Sequence, residues 1–234
     1  VNEQVRRKPL EQMAKPFVAV ATRLEDGERT VFARGNTGQA VRAFPGVGSN
    51  VPVWILGSST YGAQLAAMLG LPYAFASHFA PRYLLQALHL YRQNFKPSAQ
   101  LDRPHVMIGV PLAAAPTDEE AEYLASSQYQ RVLGILSGQR GLLPPPVAGF
   151  MERLPAQHRA AILDFLAAGV IGGPGVVREG LLRLVELTGA DELMLVCDIY
   201  DPALRLRSLD IAAHAMRRAA EDSAKVRDAA PAMG

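Results

Sequence analysis

The chain has 234 residues, 49% of them hydrophobic and 20% charged, so it can bury one substantial core in one large or two small domains. Its 24 basic and 22 acidic residues are interspersed and give a net charge of +2, which argues against a nucleic-acid-binding surface. The single cysteine, Cys197, cannot form an intramolecular disulfide, and no apolar run reaches the roughly 18 residues that a membrane span needs. We therefore expect a soluble, cytoplasmic protein without membrane contact.

The first fifty residues predict a β-hairpin followed by a long loop. Residues 17–22 and 29–33 are strand-like runs that flank Glu25-Asp26-Gly27, a sequence typical of a hairpin turn. Residues 34–50 are rich in glycine and predict irregular structure.

Further along the chain, four apolar runs without polar alternation predict buried parallel strands. These runs are residues 51–56, 72–76, 105–110 and 193–198. Helical periodicity predicts helices at residues 63–69, 81–95, 117–136, 155–167, 176–187 and 202–218. Gly70 ends the first of these helices, and Thr117 with Glu120 forms a capping box that opens the third. Three consecutive prolines, residues 144–146, predict an irregular loop after it.

The order of these elements limits the fold class to α/β. Helices that alternate with buried parallel strands leave two architectures, an open doubly wound sheet or a (β/α) barrel. A complete barrel has eight strands, whereas this sequence shows four strong ones. The pattern alone therefore predicts half a barrel or a small open sheet.

A hydroxyl-rich turn follows the first of the four apolar strands, with the sequence GSSTYG at residues 57–62. Gly57 allows close backbone approach, and the amides of Tyr61, Gly62 and Ala63 near the start of a helix could hold a phosphate. A serine-capped turn that binds nothing is about equally consistent with these residues. The spacing lacks the lysine of a P-loop and misses the nucleophile elbow of hydrolases by one residue.

Other polar residues at strand ends are weaker candidates. His78 follows the second strand and could approach a ligand, although a structural role is more common for such a histidine. Asp198, Tyr200 and Asp201 follow the last strand, where barrel chemistry occurs, and Asp201 could equally cap the next helix. The histidines have no metal-ligand spacing, so we predict no metal site.

Two further features have simple structural interpretations. Residues 172–175, with the sequence GGPG, open a helix and could form a second anion-binding turn. Cys197 lies inside a predicted buried strand and is interpreted as an inert core thiol.

The segment VPVWILGSSTYGAQLAAMLGLPYAFASHF, residues 51–79, resembles the central signature of the bacterial luciferase-like, flavin-dependent monooxygenases. Later stretches are similar to the same family, at residues 142–147 (LLPPPV), 172–180 (GGPGVVREG) and 188–194 (TGADELM). The resemblance runs from about Gly38 to Arg218. It implies a (β/α)8 TIM barrel, of which this chain has roughly half.

The resemblance also implies an activity. Members of the family use reduced FMN and O2 to oxygenate an aldehyde, an alkane or a similar small organic substrate, and a flavin reductase could supply the reduced FMN. By this resemblance the FMN phosphate is held by Gly57, Ser58, Ser59, Tyr61 and Gly62. It also implies that Ala76 and Ser77 lie near the isoalloxazine ring, with His78 as a weak catalytic candidate.

The chain departs from the family at its N-terminal end. Only fifty residues precede the matching segment, where the family has four strands, and residues 1–33 do not resemble it. The first residue is Val, which indicates processing or an incomplete chain. We therefore predict an atypical segment at 1–37, a luciferase-like barrel portion at 38–218 and a flexible tail at 219–234.

The short barrel portion leaves a second function open. The chain could be a truncated, non-catalytic flavin-binding or interaction protein derived from the same family. Half a barrel has open sheet edges, which are association hazards unless they are paired or covered. A homo-oligomer is therefore consistent with the sequence.

Overall fold

The structure, a computed structural model, describes the backbone of residues 19–22, 29–32, 52–139 and 141–229, and the side chains of residues 52–139 and 141–217. The chain divides into two compact units, Val1–Val53 and Trp54–Gly234. In the first unit, β1 (Ala19–Thr22) pairs antiparallel with β2 (Arg29–Phe32), which confirms the predicted hairpin. The turn between these strands and the glycine-rich segment after them lie outside the described residues.

The second unit is built on a parallel sheet. Its strands are β3 (Ile55–Gly57), β4 (Tyr73–Phe75), β5 (Val106–Ala114), β6 (Val170–Gly172) and β7 (Glu192–Val196). The strands β3, β4, β5 and β7 lie side by side in that order, and β6 pairs with the last three residues of β5. Every pair in this sheet is parallel, so the predicted α/β class is confirmed.

Helices connect the strands of this sheet and follow the last one. In the described part of the chain they are α1 (Thr60–Leu69), α2 (Leu84–Asn94), α3 (Asp118–Leu136), α4 (Phe150–Arg153), α5 (Ala156–Phe165), α6 (Pro174–Thr188) and α7 (Pro202–Ala229). A 3-10 turn at Pro81–Tyr83 precedes α2. The sequence did not predict α4 or β6, because elements of four and three residues are too short to show a period. The backbone of α7 is helical beyond the predicted end at Arg218.

Local signals set the ends of two helices as predicted. The hydroxyl of Thr117 accepts a hydrogen bond from the amide of Glu120 at 3.2 Å, which opens α3. Gly70 ends α1 with a φ of 64°, a conformation that favours glycine. A Cβ at Gly70 would also lie 2.4 Å from the carbonyl oxygen of Lys96, so this position accepts no larger residue without movement.

The central strand β5 is longer than predicted. The sequence indicated an end at Val110, but the strand continues through Pro111 because Leu112–Ala114 pair with β6. Val106, Ile108 and Val110 are completely buried and belong to the larger of two hydrophobic clusters. Helices α1, α2, α6 and α7 contribute to the same cluster, so they cover this face of the sheet.

A second hydrophobic cluster lies at the carboxyl end of β5. Ala113 and Ala115 pack there with residues of α3 and α5 and with Ile199, which follows β7. The helices α3 and α5 therefore sit over the carboxyl end of the sheet. Within the described residues, no helix is both long and apolar enough to cross a membrane.

The opposite face of the sheet carries partly or largely exposed side chains on several strands. Side chains alternate along a strand, so Leu56, Ala74, Met107 and Met194 point away from the helices of the larger cluster. Leu56 is 72% exposed and Met194 is 53% exposed. We call these four residues the inner face.

Candidate functional site

The turn at the carboxyl end of β3 has open backbone amides. Helix α1 begins at Thr60, three residues earlier than predicted, with Ser59 in extended conformation just before it. The first amides of the helix, which include those of Thr60, Tyr61 and Gly62, have no acceptor inside it, and the contribution of the Ala63 amide stays a prediction. The side chain of Ser59 makes no capping hydrogen bond, so the serine cap of the alternative interpretation is not formed.

The buried side chain of Tyr73 contacts this turn and stabilises it. The hydroxyl of Tyr73 in β4 donates to the carbonyl oxygen of Ser59 at 3.0 Å. Burial raises the pKa of Tyr73 to about 12, so the phenol stays a donor at neutral pH. A Cβ at Gly57 or at Gly62 would lie within 3.5 to 3.6 Å of the Tyr73 hydroxyl oxygen, so both ends of the turn rest on this side chain. Sequence reasoning missed Tyr73 because it reads as an ordinary core aromatic.

The five predicted phosphate-binding residues belong to the turn that carries the open amides. Ser58 is half-buried and Ser59 is exposed, so their hydroxyl groups lie at the surface of the turn. Tyr61 is 72% exposed, whereas Gly62 is buried against Gly57 and Tyr73. Uncapped amides, the positive end of a helix dipole and two hydroxyl groups together favour an anion.

Ala76 and Ser77 hold strand ends together. The amide of Ala76 donates to the carbonyl oxygen of Gly57 at 2.8 Å, which ties β4 to β3. Ser77 is completely buried, and its hydroxyl donates to the carbonyl oxygen of Gly109 in β5 at 2.5 Å. These polar groups are thus engaged within the fold, and the contact of both residues with an isoalloxazine ring stays a prediction.

The imidazole of His78 packs directly on the backbone of β5. A Cβ at Gly109 would lie only 2.4 Å from His78 Nδ1, and the ring of Phe79 lies 4.2 Å from the imidazole between centroids. Nδ1 is buried and has no hydrogen-bond partner in the part of the chain that the structure describes. Burial lowers the pKa of His78, Arg131 lowers it further, and Asp198 opposes both effects. The imidazole is therefore neutral at pH 7.

Three more polar side chains lie near His78, at the carboxyl ends of the strands. Asp198, which follows β7, binds Arg131 of α3 at 2.5 Å and lies 3.5 Å from the side-chain nitrogen of Gln128. The Gln128 side-chain oxygen and Arg131 Nε are buried and have no partner among the described residues. We call His78, Gln128, Arg131 and Asp198 the polar cluster.

The sequence identified His78 and Asp198 of this cluster but missed Gln128 and Arg131. The signal that could have identified Gln128 and Arg131 is their spacing, because they are two polar residues three positions apart on the buried side of the amphipathic helix α3. Catalytic residues of α/β barrels lie at the carboxyl ends of strands, which is where the cluster lies. A cavity of about 830 Å³ adjoins it, with Phe79, Arg131 and several apolar residues of α3 and α5 in its lining.

The remaining sequence candidates have structural roles. Asp201 caps α7, because its carboxylate accepts from the amides of Ala203 at 2.8 Å and Leu204 at 3.0 Å. The amide of Gly173 donates to the carboxylate of Asp118 at 2.6 Å. The predicted second anion-binding turn therefore already holds a carboxylate of its own chain.

The thiol of Cys197 is partly buried near this region. Burial raises the pKa of the Cys197 thiol, which keeps it protonated and unreactive. In the described part of the chain, no group of three or more His, Cys, Asp or Glu side chains is arranged to hold a metal ion. Tyr200 is 49% exposed, beyond the end of β7.

Comparison with known proteins agrees with this arrangement. A family model described as luciferase-like monooxygenase matches residues 7–192. The chain belongs to the luciferase-like monooxygenase family. The match begins at residue 7, so it extends into the segment 1–37 that the sequence analysis separated from the luciferase-like portion.

Luciferase-like relatives are about twice as long as the part this chain matches. A luciferase-like monooxygenase of Escherichia coli (strain K12) is 45% identical over 172 residues, which are 74% of this chain and 51% of that protein. YvbT of Bacillus subtilis (strain 168), an uncharacterized protein, is 44% identical over 76% of this chain and 53% of its own length. The crystal structure of apo-MsnO8 superposes with a TM-score of 0.65 at 31% identity, over 74% of this chain and 53% of that one. The parallel α/β unit thus corresponds to part of a luciferase-like TIM barrel.

Proposed function

We propose that this chain provides the phosphate-binding part of an FMN-dependent, luciferase-like monooxygenase. In that reaction reduced FMN and O2 oxygenate a small organic substrate such as an aldehyde or an alkane. The observation that carries the proposal is the uncapped start of α1 behind β3, in a chain of this family. The polar cluster and its cavity are the proposed substrate side of the same site.

The residues of the turn fit a phosphate group. The amides of Thr60, Tyr61 and Gly62 are donors without a helical acceptor, and the hydroxyls of Ser58 and Ser59 add further donors. A helix terminus contributes about 0.3 to 1 kcal/mol for a charge, and up to about 2 kcal/mol when partly buried. Micromolar affinity needs about 8 kcal/mol, so most of the binding energy has to come from the rest of the flavin.

The two glycines of the turn support the proposal. Neither Gly57 nor Gly62 has a φ in the left-handed region, and a Cβ at either position would meet protein atoms only at ordinary distances of 3.4 Å or more. Glycine inside a helix costs roughly 1 kcal/mol relative to alanine, so Gly62 is unfavourable for α1 itself. The protein contacts therefore do not require glycine at these two positions. A ligand that approaches the backbone closely would require it.

A flavin bound at this turn would supply the electrons for the reduction of O2. The residues of the chain would bind and orient the flavin and the substrate. The Tyr73 hydroxyl fixes the turn, and neutral His78 keeps a nitrogen able to accept a proton near the cavity. Apolar residues of the cavity lining, such as Leu133 and Phe165, would contact a hydrocarbon substrate, and the polar side chains of Gln130 and His158 line the cavity as well.

A titration that compares FMN with riboflavin tests this proposal. The two flavins differ by the phosphate, so we expect FMN to bind at least about ten-fold more tightly, a gain of about 1.4 kcal/mol. Ser59→Asp places a carboxylate at the turn and should abolish this difference, while leaving riboflavin binding unchanged. Thr117→Asp is the matched control, because it adds the same charge before α3 instead. Equal affinities for the two flavins, or equal effects of both variants, would refute the phosphate site.

The second candidate is a non-catalytic flavin-binding or interaction protein of the same family. The chain spans about half the length of the relatives that it matches. Oxygen uptake with reduced FMN and a long-chain aldehyde separates the two functions. Flavin binding without uptake favours the second candidate, and uptake that depends on the aldehyde favours the monooxygenase.

A further inference from the structure

The peptide group between Ser59 and Thr60 lies at the start of the first turn of α1. Its carbonyl oxygen accepts a hydrogen bond from the hydroxyl of Tyr73 at 3.0 Å, and its N–H is the first amide of the helix. A peptide group is planar and almost always trans, so its C=O and N–H bonds point in opposite directions. The hydroxyl that holds the carbonyl oxygen on the buried side therefore directs the Thr60 amide away from Tyr73 and the core.

The same hydrogen bond strengthens this amide as a donor. Hydrogen bonds that follow one another in a chain polarise each other, by about 10 to 30% per bond. A donor on the carbonyl oxygen of Ser59 thus makes the Thr60 N–H a better partner for an anion. Burial raises the pKa of Tyr73 to about 12, so the phenol is present as a donor at neutral pH.

The Tyr73 side chain has little freedom to move away from the turn. It is completely buried, and a Cβ at Gly57 or at Gly62 would lie 3.5 to 3.7 Å from its ring and hydroxyl oxygen. The ring packs against those of Tyr91 in α2 and Phe75 in β4, with 5.5 Å and 6.2 Å between centroids. The core therefore determines where the hydroxyl of Tyr73 lies.

Other support for the turn ends before the helix begins. The ladder between β3 and β4 stops at Gly57, whose carbonyl oxygen accepts from the amide of Ala76 at 2.8 Å. Beyond Gly57, the bond from Tyr73 to Ser59 joins the start of α1 to β4. The side chain of Ser59 makes no capping bond. The orientation of the peptide group between Ser59 and Thr60 therefore depends on Tyr73.

We infer that Tyr73 is a positioning residue of the proposed phosphate site, because its hydroxyl holds the Thr60 amide in the direction of a bound phosphate. This inference rests on the proposed function and assigns a role at the same turn. Tyr73 acts through the peptide group, from the buried side of the turn. Its hydroxyl should therefore matter for the phosphate of FMN and not for the isoalloxazine ring.

Titration of two variants with FMN and with riboflavin tests this role. Tyr73→Phe should raise the dissociation constant of FMN by about three- to ten-fold, the effect of one hydrogen bond, and leave that of riboflavin unchanged. Tyr73→4-aminophenylalanine restores a donor at the same place and should recover the preference for FMN. Far-UV circular dichroism verifies that each variant is folded.

Tyr91→Phe is the matched control. It removes the same group from the neighbouring ring and keeps the ring contact with Tyr73, but its hydroxyl donates to the carbonyl oxygen of Leu71 at 2.9 Å instead of to the turn. The variant loses a buried hydrogen bond as Tyr73→Phe does, so both should be less stable. It should nevertheless keep the wild-type preference for FMN.

The amide resonance of Thr60 gives a second measurement that needs no variant. In the wild-type chain FMN should shift this resonance and riboflavin should not, because the two flavins differ by the phosphate. The amide resonance of Glu120, in the first turn of α3, should stay unchanged with both flavins.

The outcomes separate this inference from the function on which it rests. If the wild-type chain prefers FMN and Tyr73→Phe keeps that preference, or if Tyr91→Phe loses it equally, the role of Tyr73 is refuted and the phosphate site stands. An FMN complex in which the Thr60 resonance does not move also overturns the role. A wild-type chain that binds both flavins equally, or neither, refutes the phosphate site and the role together.

Discussion

At Gly109, the absence of a side chain leaves room for the imidazole of His78. A methyl group there would approach Nδ1 to 2.4 Å, which no relaxed structure permits. The carbonyl oxygen of Gly109 also accepts a hydrogen bond from the hydroxyl of Ser77. One glycine in β5 thus fixes the two residues that follow Ala76 at the end of β4.

This contact gives a residue-scale prediction. Gly109→Ala should lower the free energy of unfolding by about 1 to 3 kcal/mol, because the added methyl overpacks the site. His78→Ala in the same chain should recover part of this loss by making room. Urea unfolding measures both variants. Gly141→Ala, where nothing lies within 4 Å of the new Cβ, should change stability by less than about 0.5 kcal/mol. Equal effects at the two glycines would contradict the contact.

A second residue-scale prediction concerns Tyr73 and alkaline pH. Its pKa is about 12 in the folded chain and 10.0 ordinarily, so between these values the unfolded chain loses a proton that the folded chain keeps. The stability contributed by Tyr73 is therefore complete below pH 10 and is lost as pH rises towards 12, by about 1.4 kcal/mol per unit.

Tyr73→Phe tests this dependence. At pH 8 the variant should be less stable by about 0.5 to 1.5 kcal/mol, because the hydrogen bond to Ser59 is missing. Its stability lacks the alkaline loss, so the two chains should become equally stable near about pH 11. Urea unfolding at pH 8, 10 and 11 gives the comparison. A constant difference across this range would refute the raised pKa.

At the scale of elements, the contact between α3 and the start of α6 joins two segments far apart in sequence. Asp118 lies in the first turn of α3, and its carboxylate binds the amide of Gly173, 55 residues away. Asp118 thus acts as a capping side chain for the start of α6, although it belongs to α3.

Removal of this carboxylate provides an element-scale prediction. Asp118→Ala leaves the buried amide of Gly173 without its partner and should cost about 1 to 3 kcal/mol of unfolding free energy. Glu119→Ala removes the same charge from the same helix turn but keeps the contact, so it serves as the control. Thermal unfolding of both variants measures the difference. If the two variants are equally destabilised, the loss reflects helix charge alone.

Features that depend on residues close together in the sequence could be predicted from the sequence. Thr117, Gly70 and Asp201 act on backbone groups within a few residues, so their capping roles follow from residue type and position. The parallel strands were visible as apolar runs for the same reason. The start of α1 was misplaced by three residues, because a helix boundary depends on the tertiary support of its first turn.

The parts of the candidate site that depend on distant contacts were not predictable. The support of the turn by Tyr73 spans 14 residues, and the bond from Ser77 to Gly109 spans 32. Arg131 meets Asp198 across 67 residues. No periodicity or motif specifies such pairs, because they result from the register of the sheet and the packing of α3 over it.

At the scale of the whole molecule, β5 organises the second unit. It pairs with β4, β6 and β7, and its helix-facing residues from Val106 to Ala114 are completely buried. The outer strands have a partner on one side only among the described residues. Stability is therefore expected to fall from the centre of the sheet to its edges.

Hydrogen exchange measures this gradient. Amides of β5 should exchange most slowly, at the rate of global unfolding, and those of β3 should exchange faster through local opening. Mass spectrometry of peptides that cover residues 106–114 and 55–57 gives the two rates. Uniform exchange across the sheet would contradict the gradient.

The bond between Asp118 and Gly173 also bears on the stoichiometry of the anion binding that we propose. The chain contains two glycine-rich turns at helix starts, which by sequence would give two binding sites per polypeptide. In one of them the amide of Gly173 already binds a tethered carboxylate, against which a dissolved anion competes poorly for that amide because it must give up its translational freedom. Between these two turns, a phosphate-bearing ligand should therefore show a single equivalent per chain, and a second equivalent should become measurable only when Asp118 is replaced.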